Sequence, residues 1–149
     1  MNRFYSLRPF ALILAAVSVL ALAVPAQAAK RAHVSRGTAH FTSASEFVGS
    51  GTATHLGAYT EEGIVAFSPT DNADVLHLEA SATYTAANGD RLYAVFSGEL
   101  NALTGVINAT VTYVGGTGRF TDASGTATLS GQMLSDGSIE VAVQGNIDY

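Results

Sequence analysis

The chain has 149 residues, 48% of them hydrophobic, with twelve acidic residues against seven basic ones, a formal charge of −5, and no cysteine. No disulfide framework or thiolate metal site is therefore available. The acidic balance disfavours nucleic acid and anionic lipid as partners.

The first stretch reads as a targeting segment. Arg3 and Arg8 precede an apolar run from Phe10 to Val24, and Ala26-Gln27-Ala28 is a small-x-small cleavage site. This is the pattern of a secretory signal peptide over residues 1–28. A membrane anchor is the alternative, but the run is short for a span of about 20 residues. Cleavage after Ala28 removes two basic residues and no acid, leaving five against twelve, a formal charge of −7. Export without cysteine fits a bacterial envelope, so a secreted or periplasmic location is expected.

The remainder has the length of one domain. Residues 29–34 carry Lys30, Arg31 and His33 and read as a basic, loose start. From residue 35 to 149 no helical period occurs. Short alternating runs rich in Thr, Val, Ile, Tyr and Phe are broken by Gly, Asn and Asp, which are strand and turn signals.

Eight strands are expected. The first lies near Val34–Thr42 and the second near Gly51–Tyr59. The third, Gly63–Ser68, follows a turn at Glu61-Glu62. The fourth, Val75–Ala86, alternates cleanly, with Leu76, Leu78, Ala80, Ala82 and Tyr84 on its apolar face. Asn88-Gly89 is a tight hairpin turn. The fifth strand, Arg91–Leu100, places Leu92, Ala94, Phe96, Gly98 and Leu100 on one side. The sixth, Val106–Val114, buries Ile107, Ala109, Val111 and Tyr113. After a glycine-rich bend come the seventh, Thr126–Leu134, a turn at Asp136-Gly137, and the eighth, Ile139–Ile147, with Val141 and Val143 inward. Eight sequential antiparallel strands keep two exposed edges unless they close. The expected fold is therefore all-β, a single eight-stranded antiparallel up-and-down β-barrel, with an open two-sheet sandwich as the alternative.

The bend Val114-Gly-Gly-Thr-Gly-Arg-Phe-Thr-Asp-Ala-Ser-Gly125 resembles the G-G-T-G-R-F-x-x-A-x-G signature of small exported bacterial proteins. Those proteins are similar to the barrel-like relatives of plant allene oxide cyclase and to dirigent proteins. Gly51-Thr-Ala-Thr-His-Leu-Gly57 and Thr85-Ala-Ala-Asn-Gly-Asp90 fit the same family. The resemblance implies a small barrel with an apolar lumen. In such relatives the lumen binds or folds up hydrophobic molecules, and some catalyse cyclisation or steer radical coupling. No local motif matches the plant cyclase's active-site groups, so no catalytic residue is carried over.

Phe67, Tyr84, Phe96 and Tyr113 fall on apolar faces and either line a ligand-binding lumen or simply fill it. Gly115, Gly116 and Gly118 serve the turn; a phosphate cradle would need a helix after them, and a strand follows instead. Arg119 either clamps an anion or carbonyl at the barrel mouth or locks the turn through an ion pair or a backbone carbonyl. His33, His40, His55 and His77 show no metal-ligand spacing. No G-x-S-x-G elbow is present. Glu79 and Glu99 lie on neighbouring expected strands, but on the polar face. No cofactor is implied. Three functions are compatible with these features: a carrier of a small hydrophobic molecule, a cyclase or isomerase acting by confinement, and a structural envelope protein forming a homo-oligomer.

Overall fold

The computed structural model describes residues 30–149; the expected signal peptide lies outside the described residues. Eight strands follow one another: β1 (Arg31–Phe41), β2 (Glu46–Ala53), β3 (Gly57–Pro69), β4 (Val75–Ala86), β5 (Arg91–Asn101), β6 (Val106–Gly116), β7 (Ser124–Met133) and β8 (Ser138–Asp148). Each pairs antiparallel with the next, and β1 closes on β8 from Arg31 opposite Ile147 to His40 opposite Ser138. The sheet is an up-and-down barrel with no free edge, so every strand's backbone groups find partners. Among the described residues no helix is long and apolar enough to cross a membrane.

Side chains alternate across the wall. Leu78, Ala82 and Tyr84 of β4, Leu92, Ala94, Phe96 and Leu100 of β5, and Ile107, Ala109, Val111 and Tyr113 of β6 are buried inside. Leu129, Ile139, Val143 and Ile147 complete the far wall of the same core. The two ends differ. At one, half-buried Phe41, Phe47, Phe67, Leu76, Met133 and Val141 form an apolar rim. The other is plugged by Leu56 and by a single 3-10 turn, Gly118–Phe120, whose Phe120 is wholly buried.

Three expectations are corrected. Glu61-Glu62 is no turn: both residues lie mid-way along β3, and the real turn is Thr54-His55-Leu56 before Gly57. Adjacent acids favour solvent, but here one side of the strand is outside and the other meets groups that tolerate a carboxyl. The second strand accordingly ends at Ala53 and the third begins at Gly57, rather than one strand running from Gly51 to Tyr59. The start expected to be loose over 29–34 is ordered strand across Arg31–Val34. From Arg31 onward it is β1, bound to β8, because His33 and Ser35 point inward and extend the alternation.

The bend between β6 and β7 shows why its glycines are there. The ladder slips by a bulge, with Leu92 opposite Gly116 and Ala94 opposite Tyr113. Gly115 takes up the bulge at φ 110°, a conformation that L side chains rarely adopt. Arg119 reaches back to the β4–β5 hairpin, its Nε 3.5 Å from Asp90 Oδ2, and its guanidinium lies 4.8 Å from the Phe120 ring centroid. It locks the turn from outside the lumen. Both partners are partly exposed, so Arg119→Ala is expected to cost less than about 1 kcal/mol in urea unfolding. A larger loss would make the ion pair a main support of the plug.

Candidate functional site: a lumen with one apolar and one polar end

Behind the apolar rim lies a cavity of about 80 Å³. Its walls include Phe41, Phe47 and Phe67 at the mouth and Val65, Leu78, Phe96, Ile107 and Leu129 deeper in. Its polar lining residues are Tyr59, Glu61 and Tyr84, and among the described residues no lysine or arginine faces it. A second void of about 10 Å³ lies nearer the plugged end, among His33, Ser35, Leu56, Tyr59, Leu92 and Tyr113. Tyr59, Tyr84 and Val143 border both.

Glu61 marks the junction. It is only 8% exposed, which is rare for a glutamate without a cationic partner. Two features make room for it. Across the β2–β3 ladder sits Gly49, where a Cβ would come 3.1 Å from Glu61 Oε2 and 2.9 Å from the Thr38 carbonyl. Across the β3–β4 ladder sits Tyr84, its hydrogen-bond partner. Burial raises the carboxyl from 4.5 to about 7, against the opposing effect of the Tyr84 hydroxyl. Near neutral pH both protonation states are therefore populated, the condition suited to a group that must give and take a proton.

The small void at the plugged end is lined by polar groups that carry no charge near neutral pH. Ser35 Oγ and the Tyr59 hydroxyl are 3.0 Å apart. Tyr59 and Tyr84 meet edge to face at 5.2 Å between centroids. Burial raises the phenols of Tyr59, Tyr84 and Tyr113, so none ionises near neutrality. His33 is 3% exposed, and burial, aided by His55, lowers it from 6.5 to about 4. Its Nδ1 is buried without a hydrogen-bond partner. The adjoining void is about the size that holds one water, and the orphaned nitrogen is the kind of group such waters satisfy. Outside His33, the His55 Nε2–H donates 2.8 Å to the Ala32 carbonyl, and Nδ1 accepts from the Tyr149 hydroxyl at 3.1 Å. Tyr149 in turn packs on Phe120, closing this end.

The sequence-derived candidates divide between these regions. Phe67, at the mouth, and Tyr84 and Phe96, inside, line the larger cavity, whereas Tyr113 lines the smaller. Gly115, Gly116, Gly118 and Arg119 belong to the plug, with Arg119 on its outer side. His77 and Glu79 pair at 2.8 Å on the exposed surface, and Ser97 Oγ also donates to Glu79 at 2.7 Å. Among the described residues no three His, Asp or Glu side chains gather as a metal site would require. Sequence reasoning missed Glu61, Tyr59, His33 and Ser35. The signal was present: phasing the alternation backward from Phe67 and Val65 through Gly63 puts Glu61 and Tyr59 inside. Set against known proteins, the chain matches no family model, no curated protein and no solved structure.

Proposed function

We propose that this protein is an exported bacterial barrel, of the family resembling allene oxide cyclase and dirigent proteins, that binds a small hydrophobic molecule in its lumen. The observation that carries the reading is the cavity behind Phe41, Phe47 and Phe67, apolar at its mouth and ending on a buried carboxyl. A barrel of eight strands is just wide enough to fill with side chains or to hold one small ligand, and here it is not quite filled. At about 80 Å³ the cavity is well below the roughly 300–1,000 Å³ of pockets that enclose drug-sized ligands. It suits a short chain or one end of a larger molecule whose remainder rests between the rim phenylalanines.

A second reading rests on Glu61. A carboxyl facing a confined apolar space, poised near neutrality, suits proton abstraction or donation on a bound substrate. A cyclase or isomerase would need little else, because holding a flexible substrate in a reactive shape removes much of the barrier. Its catalytic residue would be Glu61, with the Tyr84 hydroxyl orienting the carboxyl.

Native mass spectrometry of the protein purified from its host tests the first reading. A reproducible added mass, lost when Phe96 is replaced by tryptophan to fill the cavity, is the expected result. A bare mass from host material, together with no shift of lumen methyl resonances on titration with toluene, would remove the binding function. If a ligand is recovered and is converted to an isomer by the wild type but not by Glu61→Gln, the enzyme reading replaces the carrier.

A further inference from the structure

We infer that the lumen selects small amphiphiles carrying a hydrogen-bond donor, an amine or an alcohol, which insert donor first to meet Glu61, and that it rejects carboxylates. This rests on the lumen-binding reading above and adds the chemical class of the ligand.

Water leaves the lumen when a ligand enters, so polar complementarity decides what can bind. A polar group carried into that space must find a partner or lose its hydration without compensation. The partners on offer are unequal. Tyr84 spends its hydroxyl on Glu61, and the Tyr59 hydroxyl is engaged with Ser35 at 3.0 Å. What remains is the acceptor capacity of the Glu61 carboxyl, which has two oxygens and about four lone-pair sites. That carboxyl lines the cavity a ligand would enter. A hydroxyl or ammonium entering the cavity meets this acceptor by donating to the carboxylate. An ammonium adds an ion pair in a poorly screened site, and hydrogen bonds between charged groups are roughly twice as strong as neutral ones.

A carboxylate meets the opposite conditions. Among the described residues no lysine or arginine faces the cavity to neutralise it. Its charge would be buried beside Glu61, and two adjacent carboxylates cannot both stay ionised without a large penalty. A purely apolar molecule avoids that penalty but leaves Glu61 with an acceptor unmet. The expected order is therefore amine, then alcohol, then plain hydrocarbon, with carboxylate last. The rim sets the other half of the specificity: the tail must be apolar, because Phe41, Phe47 and Phe67 surround it on the way out.

The test is a titration at neutral pH of the purified protein, methyl-labelled at alanine, isoleucine and valine, with four probes: hexylamine, hexanol, toluene and hexanoate. The lumen methyls of Ala80, Ala109, Ile139 and Val143 report occupancy. Hexylamine and hexanol are expected to saturate those shifts at concentrations at least tenfold below hexanoate. Glu61→Gln, which keeps size and removes charge, is expected to erase the preference of amine over alcohol. The wild-type ranking decides the matter even if that variant folds poorly. Hexanoate binding as tightly as hexylamine, or toluene binding where neither amphiphile does, would overturn the inference while leaving lumen binding intact. Silence from all four probes would overturn both.

Discussion

Replacing Phe120 by alanine is expected to destabilise the barrel by about 3–5 kcal/mol, the usual cost of deleting a fully buried phenylalanine. Phe120 has 0% exposure and sits in the 3-10 turn that plugs the polar end. The turn is well fixed, so it cannot collapse into the space left behind. Its Phe120 N–H donates to the Thr117 carbonyl at 3.0 Å, and the Ala123 N–H donates to the Phe120 carbonyl at 3.0 Å. Thr117 is itself tied to β5, its N–H donating to the Arg91 carbonyl at 2.8 Å while its Oγ1 accepts from the Arg91 N–H at 2.9 Å. The Tyr149 ring, 4.9 Å away between centroids, loses a packing partner. Since whole domains are stable by only about 5–15 kcal/mol, such a loss takes a large fraction of the total. Urea unfolding followed by far-ultraviolet dichroism measures it. A loss below about 1 kcal/mol, the scale expected for Arg119→Ala next door, would mean that the turn is an ornament on the barrel and not part of its core.

The contrast between Phe120 and Glu61 shows which parts of this molecule a reader of the sequence could reach. Strand alternation, the Asn88-Gly89 and Asp136-Gly137 turns and the glycines before Phe120 are local signals, each explained by a few neighbouring residues. They are enough to count strands and to argue closure. β4, β5 and β6 keep within two residues of the ends that their alternation implies. Glu61 is in phase with the alternation of β3, but its residue type argues against burial. Two consecutive acids bounded by threonine, tyrosine and glycine look solvated, and only the glycine opposite in β2 and the tyrosine opposite in β4 make the buried position tenable. His33 is similar: beside Lys30 and Arg31 it reads as part of a charged tail, yet β8 captures it. The cavity is less legible still. Whether a barrel of this size is hollow depends on how side chains from all eight strands interdigitate, and no stretch of sequence carries that sum.

Those two misread residues should govern how stability responds to pH, in opposite directions. Glu61 titrates at about 7 in the folded chain against 4.5 ordinarily. Between those values the folded chain holds a proton that the unfolded chain has released, so raising the pH favours unfolding. At about 1.4 kcal/mol for each tenfold change in proton affinity, the loss is about 3 kcal/mol by pH 8. His33 titrates at about 4 against 6.5. Between those values the unfolded chain takes up a proton that the folded chain refuses, so lowering the pH favours unfolding, again by about 3 kcal/mol once pH 4 is passed. Neither group figures among the causes of the other's shift, so the two contributions add. Their windows overlap and their slopes are opposed. The wild type is therefore expected to show almost no pH dependence from this pair between about pH 4.5 and 6.5, and each variant should unmask the other's slope. Glu61→Gln should exceed the wild type by about 3 kcal/mol more at pH 8 than at pH 4, leaving a protein that weakens only on acidification. His33→Gln should do the reverse and weaken only as the pH rises from 4.5 toward 7. The exposed carboxyls of Glu79 and Asp136, both held below their ordinary values by hydrogen bonds, act at the acid end in all three proteins and cancel in the differences. Urea midpoints at several pH values between 4 and 8 suffice for the measurement. Profiles that run parallel in all three would show that the lumen carboxyl and imidazole are hydrated enough to titrate normally, and that the interior is wetter than its apolar lining implies.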